Sequence, residues 1–144
     1  MLKKLLFLCV SFFAAGSLFA GNIHTTIEIN GVIVNGGLIY VAVYSNENDY
    51  KTETAFAKFI LQPDKTTLTY SLDLPEGEYV VSVFQDSNND GELNTGTFGM
   101  PKEPVGKTNY NLKGSPGGFN KLKAPVNSNS TKLIVNMGKV RLLG

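Results

Sequence analysis

The chain has 144 residues, with 13 Lys and Arg against 12 Asp and Glu, one His, one Cys and no Trp. That length suits one domain, and the near-zero charge excludes the basic stripe that nucleic acid requires. A lone Cys and a lone His exclude an internal disulfide, a Cys-built zinc site and a poly-His metal cluster, while 15 glycines and 17% charged residues fit an all-β globule better than a helical bundle.

The chain opens on a segment unlike the rest. Lys3 and Lys4 precede an uncharged run from Leu5 to Ala15, followed by Gly16, Ser17 and Ala20. A basic start, a short apolar stretch and small residues at the end describe a secretory signal peptide, expected over residues 1–20 with the cut after Ala20. The apolar run is too short for a membrane span, and Cys9 lies too deep in it for a lipid-anchored cleavage site, so no stable membrane anchor is expected after cleavage. Loss of Lys3, Lys4 and Cys9 leaves a single domain over residues 21–144, without cysteine and with a formal charge of −1. Its expected destination is the periplasm or the exterior.

Strands are expected through most of that domain. Ile23 to Val34 reads as the first, and Asn35-Gly36-Gly37 as a tight hairpin turn. Gly37 to Ser45 is apolar on both faces and so suits a central strand. Tyr50 to Ala57 holds the only helix candidate, and Phe56 to Gln62 reads as a further strand. From Thr67 to Leu74, Leu68, Tyr70, Leu72 and Leu74 alternate with polar residues, the period of a strand with one wet face. Pro75-Glu76-Gly77 interrupts the pattern, and Glu78 to Gln85 resumes it, which reads most simply as an antiparallel hairpin. Phe119 to Val126, broken by Pro125, and Thr131 to Met137, running on towards Leu143, complete the set. About seven short strands without a helical period predict a two-layer antiparallel β-sandwich.

The chemistry concentrates after Phe84. Asp86-Ser87-Asn88-Asn89-Asp90-Gly91-Glu92-Leu93-Asn94 matches the first half of a calcium-loop pattern. A hard cation takes six to eight oxygens at about 2.3–2.6 Å, so alternate side chains of a curled loop point inward. Asp86, Asn88 and Asp90 would offer side-chain oxygens, Gly91 the sharp turn, Glu92 its backbone carbonyl, and Asn94 a direct or water-bridged ligand. The twelfth position is Thr97 rather than a bidentate Glu, and strands are expected around the loop, so this is no EF-hand. The same residue types are also ordinary turn formers, but two carboxylates in five residues repel unless a positive charge neutralises them. A bound Ca²⁺ is therefore the expected cofactor. Glu103, between Pro101 and Pro104, either folds back as a further carboxylate ligand or stays an exposed loop acid.

The runs Leu74-Pro75-Glu76-Gly77-Glu78-Tyr79, Val83-Phe84-Gln85-Asp86, Asp90-Gly91-Glu92-Leu93-Asn94 and Phe98-Gly99-Met100-Pro101-Lys102-Glu103-Pro104-Val105-Gly106 resemble the bacterial exported family catalogued as domain of unknown function 2141. The resemblance implies a prealbumin-like or immunoglobulin-like sandwich and implies no activity. Where this chain has Asp90 the family usually has Asn, and where it has Asn94, Asp. Lys107-Thr108-Asn109 stands in place of the family's common Phe-Ser-Asn.

Catalysis finds little support. The only imidazole, His24, lies beside the expected new N-terminus, and no Gly-x-Ser-x-Gly elbow accompanies it. Gly114 to Gly118 contains Pro and precedes no helix, so it is no phosphate cradle. The expected function is a non-enzymatic module that binds an extracytoplasmic protein or glycan through loops at one end of the sandwich. The alternative is a carboxylate- or metal-assisted hydrolase that uses the same acids.

Overall fold

The computed structural model describes residues 21–142; the expected signal peptide over residues 1–20 lies outside the described residues. The elements are β1 (Asn22–Asn30), β2 (Ile39–Tyr44), α1 (Glu47–Thr52), β3 (Ala57–Leu61), β4 (Thr67–Pro75), β5 (Gly77–Gln85), β6 (Val105–Lys107), α2 (Phe119–Leu122), β7 (Ala124–Val126) and β8 (Lys132–Asn136). They form an all-β sandwich. One sheet runs β4-β1-β8 and the other β3-β2-β5-β6, with β7 also paired to β5. Every pairing is antiparallel except β1 with β8, where Ile27 stands beside Leu133 and Ile29 beside Val135 in parallel register.

Neither expected hairpin forms. β1 pairs with β4 and β2 with β3 and β5, so the chain changes sheets at Asn35-Gly36-Gly37 and again at Pro75-Glu76-Gly77. The reason is the distribution of apolar residues. β4 carries Thr67, Thr69, Ser71 and Asp73 on one side and can leave that face in water. β5 is apolar at both parities, with Tyr79, Val81 and Val83 facing the sandwich core and Val80 buried on the other face. A strand of that kind needs cover on both faces. The two strands therefore sit in different layers, and the Tyr79 hydroxyl donates to the Pro75 carbonyl at 2.6 Å to hold the corner between them.

The main core lies between the sheets. Ile27, Ile29, Leu74, Leu133 and Val135 from one layer meet Ile39, Val41, Val43, Val81 and Val83 from the other, all buried. Each such side chain contributes roughly 1.5–3 kcal/mol on burial. A second cluster of Tyr44, Val80, Tyr110, Phe119 and Leu122 covers part of the outer face of the five-stranded sheet, which explains why β2 is apolar on both faces.

Helix and strand limits differ locally from expectation. The helix starts earlier, at Glu47, because the Asn46 side chain accepts from the Asp49 N–H and caps it. Phe119 to Val126 is a one-turn helix followed by a short strand, since Phe119 and Leu122 at helical spacing both reach the second cluster. β1 stops at Asn30 rather than Val34, and β8 at Asn136, before Leu143.

Candidate metal centre

The acidic loop begins where β5 ends. The Asp86 N–H donates to the Leu38 carbonyl at 2.9 Å, and the Gln85 N–H to the Pro104 carbonyl at 3.0 Å, so both neighbouring segments hold its root. The Asp86 side chain is only 1% exposed. Its Oδ1 accepts from the Asp90 N–H at 3.2 Å and its Oδ2 from the Gly91 N–H at 2.7 Å, curling the loop over its own first carboxylate. Gly91 takes a φ of +77°, a left-handed turn that costs glycine little.

Glu103 does fold back. Beyond the loop, Asn94 to Lys102 closes on itself: Thr95 bridges Pro101, and the Lys102 N–H donates to the Asn94 carbonyl at 2.9 Å. This returns Glu103, 4% exposed, to the loop. Its Oε2 accepts from the Ser87 N–H at 2.7 Å and its Oε1 from the Asn94 N–H at 3.0 Å. One carboxylate thereby clamps the two ends of the loop. It is not an exposed loop acid.

Asp90 differs from these two because its side chain stands at the exposed rim. The Glu92 N–H at 2.9 Å and the Asn94 amide at 2.9 Å both donate to it, and they hold its carboxyl below the usual carboxylate range, the Glu92 bond first. The Asn88 amide adds a donor at 3.2 Å to Asp90 and another at 3.0 Å to the Asn94 side-chain oxygen. One carboxylate oxygen from each of Asp86, Asp90 and Glu103 lies within 4.8 Å of the others. That separation is about twice a calcium–oxygen bond, so a single ion at the common point could touch all three.

Of the six residues expected here, Asp86, Asp90 and Glu103 converge as carboxylates. Asn88 and Asn94 join by pointing amide nitrogens at Asp90, and a role as oxygen ligands would require those amides to turn. Glu92 is exposed and contributes its backbone N–H.

Three residues outside the motif support the site. Gln85 is fully buried; its amide donates to the Ile33 and Gly37 carbonyls at 2.7 and 3.0 Å, while its oxygen accepts from the Ile33 N–H at 3.0 Å. It ties the root of the loop to the β1–β2 connection. Gly37, at φ +114°, lets that connection pass so close that a Cβ would overlap the Asp86 carbonyl. Tyr40 stacks on Phe84 at 4.9 Å and brings its hydroxyl beneath Gly91. Burial pushes the Tyr40 phenol up, and the charges of Asp86 and Asp90 add to that. The alternation of β5 carried one usable signal: Gln85 shares the inward parity of Tyr79, Val81 and Val83, where a polar side chain must find partners.

No curated protein and no solved structure matches the chain. A family model described as "Uncharacterized protein conserved in bacteria (DUF2141)" matches residues 27–134, a span that runs from within β1 to within β8 and takes in every residue of the acidic site. The chain belongs to this bacterial family of uncharacterised proteins.

Proposed function

We propose that this is an exported, non-enzymatic β-sandwich module, with the loop from Asp86 to Asn94 and Glu103 ordered by calcium, that binds an extracytoplasmic protein or glycan partner at that end. Export to the periplasm or beyond rests on the charge and hydropathy pattern of residues 1–20. The non-enzymatic reading is supported by the position of the only imidazole: His24 pairs with Asp73 near the Pro75 corner, a full strand's length from Asp86.

The observation that carries the calcium reading is the convergence of three carboxylates within 4.8 Å. Unit charges at such a spacing repel by about 1–4 kcal/mol per pair at effective dielectrics from bulk water to protein surface, and a divalent ion turns that repulsion into attraction. Asp86, Asp90 and Glu103 supply the charged oxygens, Glu92 its carbonyl, and Asn88 and Asn94 their side-chain oxygens once their amides turn. Calcium tolerates such an irregular oxygen set better than magnesium does, and the affinity belongs in the range of about 10⁻⁴–10⁻³ M typical of extracellular modules.

The test is thermal unfolding of residues 21–144 in calcium, in magnesium and in chelator. At ten times its dissociation constant a ligand adds about 1.4 kcal/mol, so the midpoint should rise by several degrees in calcium and less in magnesium. Asp90→Asn, at the exposed rim, should remove most of the rise, and in chelator it should be no less stable than the native chain because two repelling pairs are gone. Equal midpoints in calcium and chelator, or a full calcium response in Asp90→Asn, would defeat the reading.

A further inference from the structure

The outer face of the five-stranded sheet is only partly covered. Beside the second cluster, a groove of about 440 Å³ lies over β5 and β6, walled by the segment from Leu93 to Pro101 on one side and by Gly114 to Pro116 with Val140 and Leu142 on the other. That volume falls within the range of small-molecule sites. Its floor follows from the strand register. Phe84 stands beside Val105, and Ser82 beside Lys107, so an apolar stretch leads to a cation two residues along the sheet.

Two observations indicate what the groove would hold. Lys107 is the only charged side chain that lines it, among the described residues. Its ammonium donates to the Ser82 hydroxyl at 2.7 Å and lies 5.1 Å from the centre of the Tyr50 ring, but among the described residues no carboxylate comes within 4.0 Å of it. An ammonium has three donors, and the hydroxyl takes one. The rims, meanwhile, leave large apolar side chains in water. Leu93 and Leu142 are exposed, and Phe98 is 92% exposed on left-handed backbone at φ +59°. Left-handed backbone is uncommon for a phenylalanine, and leaving the ring in water gains nothing from burial.

We propose that this groove binds a small amphipathic carboxylate, such as a medium-chain acyl anion. The Lys107 ammonium and the Ser82 hydroxyl take the carboxylate; Phe84 and Val105 lie under the apolar body, and Phe98 folds over it. A charge-assisted bond between ammonium and carboxylate supplies the partner that Lys107 lacks, and the acyl chain covers the apolar rims. The groove gives the module a ligand of stated chemistry and does not depend on the cation reading.

Isothermal titration with decanoate, in chelator-containing buffer so that calcium plays no part, tests this. Decanoate should bind at micromolar to millimolar concentration, and decanol at least tenfold more weakly. Lys107→Met should remove that preference, while Lys107→Arg should keep most of it. Phe98→Ser, at an exposed position that folding does not depend on, should weaken both ligands alike. Absence of decanoate binding at millimolar concentration, or equal binding of decanoate by the native chain and a folded Lys107→Met, would overturn the proposal. So would self-association that Phe98→Asp abolishes, because it would assign the groove to a second copy of the chain.

Discussion

Two of the three converging acids do the work of backbone connectors. Asp86 and Glu103 each accept two main-chain N–H groups with their two oxygens, so the loop's curl is specified by side chains rather than by a sheet ladder. Gly37 is the least replaceable residue beneath them. At Gly37→Ala the methyl would overlap the Asp86 carbonyl from a backbone conformation that L-residues rarely adopt. Such strain alone costs about 1–3 kcal/mol, and relief of the overlap would push the root of the loop outward. Urea unfolding should therefore show a loss of at least about 2 kcal/mol, with the calcium response reduced as well. A substitution within a few tenths of a kcal/mol of native would mean that the β1–β2 connection does not buttress the site. Asp86 and Asp90 were legible in the sequence because their spacing follows the alternate positions of a curled loop, whereas Glu103 lies outside that spacing and its return to the loop was only one of two readings. Gln85 left a trace, as a polar residue at an inward position of β5, but its partners did not; Gly37 and Tyr40 reach the site from another segment, and no local pattern encodes which strand end will lie beside which turn.

At the scale of the element, alternation identified the longer strands, missed the three-residue β6 (Val105–Lys107), and read pairings poorly. A short turn between two periodic segments has two solutions: a hairpin within one sheet, or a corner between two. Both turns read as hairpins proved to be corners. The deciding information lay in the strands. β4 has one polar face and β5 has none, and two adjacent strands with such different solvent demands separate into different layers. Tyr79 secures the second corner through its bond to the Pro75 carbonyl. In Tyr79→Phe that carbonyl loses its partner while the ring stays packed, a change that costs about 1 kcal/mol. The denaturation midpoint should fall by a corresponding amount without a change in the slope that reports exposed surface. An unaltered midpoint would show that packing of the ring alone holds the corner.

The whole molecule is a sandwich with a partial third layer, and the edge of that layer leaves a lysine half-buried in apolar surroundings. Burial pushes the Lys107 ammonium down to about 8, against the opposing pull of Glu53. An unfolded lysine titrates near 10.4, so between these values the unfolded chain holds a proton that the folded chain has released. Stability must then rise with pH across that window and fall as pH drops through 8. The groups around Lys107 leave the lower part of the window clear. Burial raises the phenols of Tyr44, Tyr50 and Tyr110 above their ordinary value, and Tyr79 is pushed up to about 12. Those phenols keep their protons in the folded chain beyond pH 10, where their loss opposes folding. Between pH 8 and pH 10 the unfolding free energy should therefore increase by about 2 kcal/mol. Lys107→Met should flatten that rise, and it should be more stable than the native chain at pH 8, because a neutral side chain there has no charge to desolvate. Decanoate bound beside Lys107 should flatten the rise too, by holding the ammonium protonated in the folded state. A rise of equal size in Lys107→Met would assign the effect to other groups and remove the buried cation from the account of this face.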